Sequence, residues 1–161
     1  YTTKGKERWQ APVPGVVWAV NLAADDRLAV AAYADGTIRW HRADTGQELL
    51  AFFPHADRQR WVLWTPQGYY DCSPGAEDLI GWHVNRGKVE AADFFPAARF
   101  RNIYYRPDVL QRVLNTRDVA EALRQANQAL GRPESKPDEI GAVIAKVDLA
   151  IGDGAQELDV A

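Results

Sequence analysis

Short apolar segments separated by turn-forming residues fill the first half of the chain. Four of them cover residues 16–22, 27–33, 37–41 and 48–53. They are rich in β-branched and aromatic residues, and the turns between them contain Asp25, Asp35-Gly36 and Gly46. An Asp-Gly pair between β segments favours a tight hairpin because glycine accepts a positive φ. The pattern predicts four antiparallel strands joined by short turns.

A less regular series of segments follows, with strands predicted over residues 60–64, 69–72 and 78–84. Trp40-His41 recurs as Trp82-His83, 42 residues later. Repeats of about 40–45 residues with four strand-sized segments are typical of propeller blades. We therefore expect two units that are built alike. The tryptophans expected to fill the space between their sheets are Trp18, Trp40, Trp61 and Trp82.

Helical spacing replaces the strand pattern after Pro96. One helix is predicted to begin at Pro107, because proline is favourable in a first turn. A second is predicted to start from a cap at Asn115 or Thr116 and to end at Gly131. A third segment with helical spacing covers residues 140–147. The predicted fold is mainly β with a C-terminal α region: a partial β-propeller of four-stranded antiparallel blades over residues 1–95, then two or three helices in a connector and tail over residues 96–161.

The segment 35–41 resembles the third strand of a WD-repeat blade. That family usually ends this strand in Trp-Asp, whereas His41 and His83 stand at the last position here. The resemblance implies that Asp35 matches an aspartate which commonly joins a buried network with a histidine and the tryptophan. Because His41 replaces the aspartate of the Trp-Asp pair, we expect this network to be incomplete.

A second resemblance covers the strings 64–74 and 80–85 and the segment 100–114. They look like the end of propellers in bacterial multidomain proteins, some of which continue into caspase-like peptidase domains. This implies that residues 96–147 form a connector. Two blades cannot close a propeller, so we expect the remaining blades in the same or another chain. The absence of methionine also suggests a fragment of a longer polypeptide.

Composition excludes some classes of function. The chain has 161 residues, 47% hydrophobic and 25% charged, with a formal net charge of -3. No apolar run approaches the roughly 18 residues that a membrane span requires, so we expect no membrane partner. We expect a cytoplasmic protein, because folding without an internal disulfide fits a reducing compartment. The negative charge disfavours nucleic acid as a partner. The one cysteine cannot form an internal disulfide.

Cys72 is the first candidate for chemistry, because a thiolate nucleophile needs a nearby imidazole from His41, His55 or His83. No cysteine-peptidase signature surrounds it, and a lone cysteine among strand residues is usually a small buried hydrophobe. Histidines, Cys72 and Asp71 also lack the paired spacing of a metal site. We therefore expect no catalytic residue, no metal and no cofactor, with His41 and His83 in structural roles.

Aromatic residues alternate with arginines between positions 94 and 106. This pattern permits stacking on single-stranded bases, but packing of the rings with snorkelling arginines is the favoured interpretation. Overall, the sequence predicts a non-catalytic protein-interaction scaffold whose protein partner is unidentified. The alternative is a regulatory or linker fragment of a bacterial caspase-like peptidase whose catalytic domain lies outside this chain. The residues suggested for partner contact are Trp9, Trp64, Arg99, Arg101 and Tyr104.

Overall fold

The structure is a computed structural model that describes residues 7–11, 14–84, 93–133 and 147–151, with side chains for all of these except 82–84, 93–94 and 147–151. The strands in these ranges are β1 (Val17–Leu22), β2 (Leu28–Tyr33), β3 (Ile38–Arg42), β4 (Glu48–Pro54), β5 (Trp61–Trp64), β6 (Tyr70–Cys72), β7 (Ile80–Val84), β8 (Asp93–Pro96) and β9 (Val147–Ile151). The α-helices are α1 (Arg101–Tyr104), α2 (Pro107–Thr116) and α3 (Val119–Leu130), and two 3-10 helices cover Ala76–Leu79 and Ala97–Phe100.

Six strands form one antiparallel sheet in which neighbours in sequence are neighbours in space, in the order β1-β2-β3-β4-β5-β6. A second sheet has three strands, with β7 between β8 and β9. The coarse prediction of an antiparallel β architecture followed by helices is therefore confirmed. The predicted bounds of β1 to β6 agree with the structure to within one residue at each end.

A repeat of 32 residues relates the two halves of the six-stranded sheet. The left-handed residue Arg58 (φ 60°) follows Asp26 (φ 56°) by 32 residues, and Gly68 (φ 90°) follows Gly36 (φ 81°) by the same interval. The hydrogen bonds of the turns repeat as well: Ala23 N–H donates to the Leu28 carbonyl, as His55 N–H does to Arg60. The meander β1-β2-β3 is therefore repeated as β4-β5-β6.

This repeat differs from the predicted 42-residue one, and two four-stranded blades do not form within the described residues. β4 pairs with β5, so the sheet continues where the first blade was expected to end. Trp40 lies on β3, opposite Val30 and Leu50. Trp82 lies on β7 of the other sheet, opposite Phe95 and Leu149. The turn residues, rather than the Trp-His pairs, mark the equivalent positions.

The two helices predicted within the described residues are present. α2 begins at Pro107, and α3 ends at Gly131, whose left-handed φ of 62° allows the chain to leave the helix. The predicted cap of α3 is wrong: the Asp118 carboxylate, not Asn115 or Thr116, accepts from Glu121 N–H at 3.0 Å. The third predicted helix lies almost wholly outside the described residues, and its last residue, Val147, begins β9.

One hydrophobic core joins the sheet and the helices across the predicted boundary at residue 96. Arg106 links the two parts: its backbone N–H donates to the Tyr70 carbonyl of β6 at 2.9 Å, and its buried guanidinium donates to Asn127 on α3 at 2.8 Å. The largest fully buried side chains are Tyr70, Leu49, Ile80, Val62, Val109 and Val113. None of the helices in the described part of the chain has the length and apolar character that crossing a bilayer requires.

Candidate interaction surface

β1 differs from the other strands of the six-stranded sheet because all six of its residues are exposed. Val16, Trp18, Val20 and Leu22 keep between 56% and 68% of their surface accessible. The prediction that Trp18 fills the space between two sheets is therefore wrong for the described part of the chain, because no second sheet covers β1 there. Exposed apolar groups in one strand are a recognised feature of interaction sites.

The outer backbone of β1 is also open, except at the N–H of Leu22. Ala23 N–H donates to the Leu28 carbonyl at 2.9 Å, which makes these two residues a hydrogen-bonded pair. Such pairs alternate along an antiparallel ladder, so the N–H and C=O groups of Val20 and Leu22 point away from β2. The Leu22 N–H is taken by the Asn21 side chain at 2.9 Å. A bulge between Val17 and Ala19 interrupts the register.

The opposite edge of the same sheet is covered. Tyr70 on β6 forms a parallel bridge with Tyr105, and its carbonyl accepts from Arg106 N–H at 2.9 Å. The edge rings are packed too, with the Tyr70 and Tyr105 centroids 5.6 Å apart. An exposed strand edge offers unpaired donors and acceptors to another chain. Among the strands that the structure describes in this sheet, β1 alone provides such an edge.

The 32-residue repeat shows what the surroundings of β1 lack. β4 is its counterpart, and Leu49, Leu50, Ala51 and Phe53 of β4 are buried. β4 has β3 on one side and β5 on the other, whereas β1 pairs only with β2 among the described residues. The missing neighbour of β1 therefore corresponds to an antiparallel strand like β3.

The structure removes two residues from the set suggested for partner contact. Trp64 is only 7% exposed and Tyr104 only 4%, and both belong to the core. Trp9 is partly buried because it packs on this chain: its indole N–H donates to the Ala43 carbonyl at 2.9 Å. These tryptophan and tyrosine side chains stabilise the fold rather than project from it.

Arg99 and Arg101 are exposed but lie against rings of the same chain. The Arg99 guanidinium is 4.6 Å from the centroid of Phe95. Arg101 lies 3.9 Å from the centroid of Tyr105 and forms an ion pair with Glu77. Both arginines therefore take part in cation–π contacts. This arrangement supports packing over base stacking as the reason for the aromatic and basic pattern.

The residues assigned to the repeat have separate environments. The Asp35 carboxylate accepts from Thr37 N–H at 2.9 Å and from Arg39, without reaching His41. His41 is buried; because the Gly46 carbonyl can only accept, Nδ1 of His41 donates to it at 3.2 Å, and Nε2 lies 3.3 Å from the Tyr33 hydroxyl oxygen. Trp40 and Trp61 are half-buried on β3 and β5. The side chains of Trp82 and His83 lie outside the described residues.

Cys72 has the environment of a structural thiol. Burial, with a smaller contribution from the Glu77 charge, raises the pKa of the Cys72 thiol to about 11, so the thiol form predominates near neutral pH. His41 contacts Tyr33 and Gly46, and His55 contacts Asp57 at 3.1 Å. Among the described residues, no group of three histidine, cysteine or acidic side chains is arranged to hold a metal ion.

No protein-family model, curated protein or solved structure matches this chain.

Proposed function

We propose that this chain is a non-catalytic protein-interaction scaffold that binds its partner through the open edge of β1. The observation that carries the proposal is the exposure of Trp18, Val20 and Leu22 on a strand whose outer backbone has no neighbour in the described structure. Addition of a strand to such an edge gives affinity through main-chain hydrogen bonds and specificity through alternate side chains.

The occupant that fits best is an antiparallel strand from a further sheet built like this one. β4, the counterpart of β1, is covered on the corresponding side by β3. In the propeller interpretation that strand comes from the remaining blades, in the same or another chain. Each large apolar side chain that becomes fully buried would contribute about 1.5–3 kcal/mol. Because β1 is already ordered by β2, little backbone entropy is lost on binding.

The first test uses a second copy of the chain as the source of the strand. We expect light scattering of the full chain to show a concentration-dependent dimer. The double variant Val20→Lys and Leu22→Lys should be monomeric, because lysine on an edge strand opposes further pairing. The matched control is Leu130→Lys, since Leu130 is 55% exposed but lies at the end of α3. This control should dimerise like the unmodified chain.

The second test uses a fluorescent peptide of residues 36–43, which contains β3. Fluorescence anisotropy should detect its binding to the full chain and to Leu130→Lys, with loss of binding to the Val20 and Leu22 double variant. Circular dichroism would establish that each variant is folded. An unmodified chain that stays monomeric and does not bind the peptide would overturn the proposal. Equal loss in the Leu130→Lys control would also overturn it, because the effect would then not depend on β1.

The link to a caspase-like peptidase remains a prediction from the resemblance. Sequencing the natural polypeptide on both sides of this chain tests it directly, by showing whether a peptidase domain with a paired histidine and cysteine is present.

A further inference from the structure

A cleft lined largely by arginines lies away from β1 and has no part in the proposal above. Its volume is about 220 Å³. The lining residues are Arg8, Asp26, Arg27, Arg42, Asp44 and Arg117. We call this the arginine cleft. It lies where four parts of the chain meet: the segment 7–11, the turn after β1, the turn after β3 and the junction between α2 and α3.

Hydrogen bonds between these four parts, each accepted by a backbone carbonyl, hold the cleft in shape. Trp9 donates to the Ala43 carbonyl at 2.9 Å and so fixes the segment that carries Arg8. Ala43 N–H in turn donates to the Arg27 carbonyl at 3.0 Å, joining the two turns. Arg42 reaches the Arg117 carbonyl at 3.5 Å. The walls are therefore set by the fold before any ligand binds.

The charges in the arginine cleft are unbalanced. Arg42 is held by Asp44 through two contacts, of 3.0 Å and 2.6 Å. Arg8, Arg27 and Arg117 form no ion pair with another residue of the described part of the chain. Four arginines and two aspartates leave a formal charge of +2, in a chain whose net charge is -3. Within the described part of the chain, three guanidinium groups are thus available to an anion.

Arg117 stands at a position that usually favours glycine. It ends α2 in the left-handed conformation, with φ 54°. α3 ends in the same conformation at Gly131, where φ is 62°. A left-handed residue with a side chain costs about 1–2 kcal/mol relative to glycine. The chain thus has the less favourable residue at the end of α2, where Arg117 places a cation in the arginine cleft. At the end of α3 it has glycine, which avoids the penalty.

We propose that the arginine cleft binds the phosphate group of a small phosphorylated molecule. Guanidinium groups match phosphate oxygens with paired N–H donors. A phosphate dianion also balances the cleft's formal charge of +2, whereas a single carboxylate neutralises only half of it. The cleft is smaller than the roughly 300–1,000 Å³ of pockets that enclose drug-sized ligands. It therefore suits a phosphate or diphosphate group, with the rest of the molecule lying outside.

Calorimetry of the full chain with inorganic pyrophosphate at low salt tests this inference. We expect binding that weakens about tenfold or more in Arg117→Gln and in Arg27→Gln, because each variant removes a charged hydrogen-bond donor. Arg58→Gln is the matched control, since Arg58 is another arginine with a left-handed φ, of 60°, but is exposed and lies outside the cleft. Its affinity should equal that of the unmodified chain.

Two further measurements make the test decisive. Thermal unfolding would show that the variants are folded, and Arg27, in an exposed turn, provides a readout if Arg117→Gln is unstable. Acetate serves as the carboxylate probe and should bind at least tenfold more weakly than pyrophosphate. Absence of pyrophosphate binding, equal binding by all three variants, or equal affinity for acetate would each overturn the proposal.

Discussion

Gly46 is the residue on which the position of Trp9 depends. It has a left-handed φ of 76°, and a Cβ added to it would lie 2.6 Å from Cδ2 of the Trp9 indole. Only glycine therefore satisfies both the turn after β3 and the packing of the N-terminal segment. Its counterpart for comparison is Gly131, which is also left-handed but has open space where a Cβ would lie.

We expect Gly46→Ala to destabilise the protein by more than Gly131→Ala. Both variants incur the left-handed penalty of about 1–2 kcal/mol, and only Gly46→Ala also displaces Trp9. Urea unfolding measures the two free energies, and the indole N–H signal of Trp9 in NMR spectra reports its hydrogen bond to Ala43. Equal destabilisation with an unchanged Trp9 signal would contradict this account.

Single side chains were the hardest features to predict from the sequence. Trp18 and Trp64 lie in similar apolar segments, yet one is exposed and the other is buried. Their burial depends on which strand lies next to them, and the local sequence pattern does not determine that neighbour. The arginine cleft is a further example, because it brings Arg8 close to Arg117 although they are far apart in sequence.

At the scale of elements, the ends of α2 and α3 allow a direct comparison. We expect Arg117→Gly to stabilise the protein by about 1 kcal/mol, because glycine removes the left-handed penalty at the end of α2. The same variant should lose affinity for pyrophosphate. Differential scanning calorimetry and pyrophosphate titration would measure the two effects.

Arg58→Gly is the control for this prediction. Arg58 has a similar φ of 60°, so the gain in stability should be similar, while pyrophosphate affinity should not change. A fall in the stability of Arg117→Gly would show that the arginine side chain contributes more to folding than its backbone conformation costs.

The strands are predicted well because the apolar residues of each strand and the turn residues at its ends are both visible in the local sequence. Gly36 was expected to accept a positive φ and has one of 81°. The pairing of strands was predicted less well. The Trp40 and Trp82 pairs suggested a 42-residue repeat, whereas Ala24-Asp25 and Ala56-Asp57, together with Gly36 and Gly68, carry the 32-residue repeat. These turn residues were visible in the sequence, but their shared hydrogen bonds were not.

At the scale of the whole molecule, Arg106 and Asp108 hold the helices against the sheet. Arg106 donates to Asp108 at 2.7 Å and to Asn127 at 2.8 Å, while its backbone is bonded to β6. Hydrogen bonds from Arg106 lower the pKa of the Asp108 carboxyl below its usual range. The ionised carboxylate is therefore favoured in the folded state, and protonation weakens the contact between helices and sheet.

We expect Asp108→Asn to destabilise the protein by about 1–3 kcal/mol at neutral pH. Because the folded pKa of Asp108 is lowered, its contribution is fully present above the unfolded value of about 3.9 and is lost as the pH falls through the folded pKa. The gap in unfolding free energy between the two proteins should therefore close in acid. Urea unfolding from pH 7 to pH 3 measures it, and a gap that stays constant over this range would refute the role of the charge.

Because the described residues cover β6 but not β1, the two edges of the six-stranded sheet differ in whether they can accept another molecule. If a second copy of the chain supplies the added strand from its own β1, each molecule contributes its covered β6 edge to an outer boundary of the combined sheet. A two-fold contact of this kind is closed, because both partners use the same surface. Such a dimer would be self-limiting, so we expect concentrated solutions of the protein to form no fibres through this sheet.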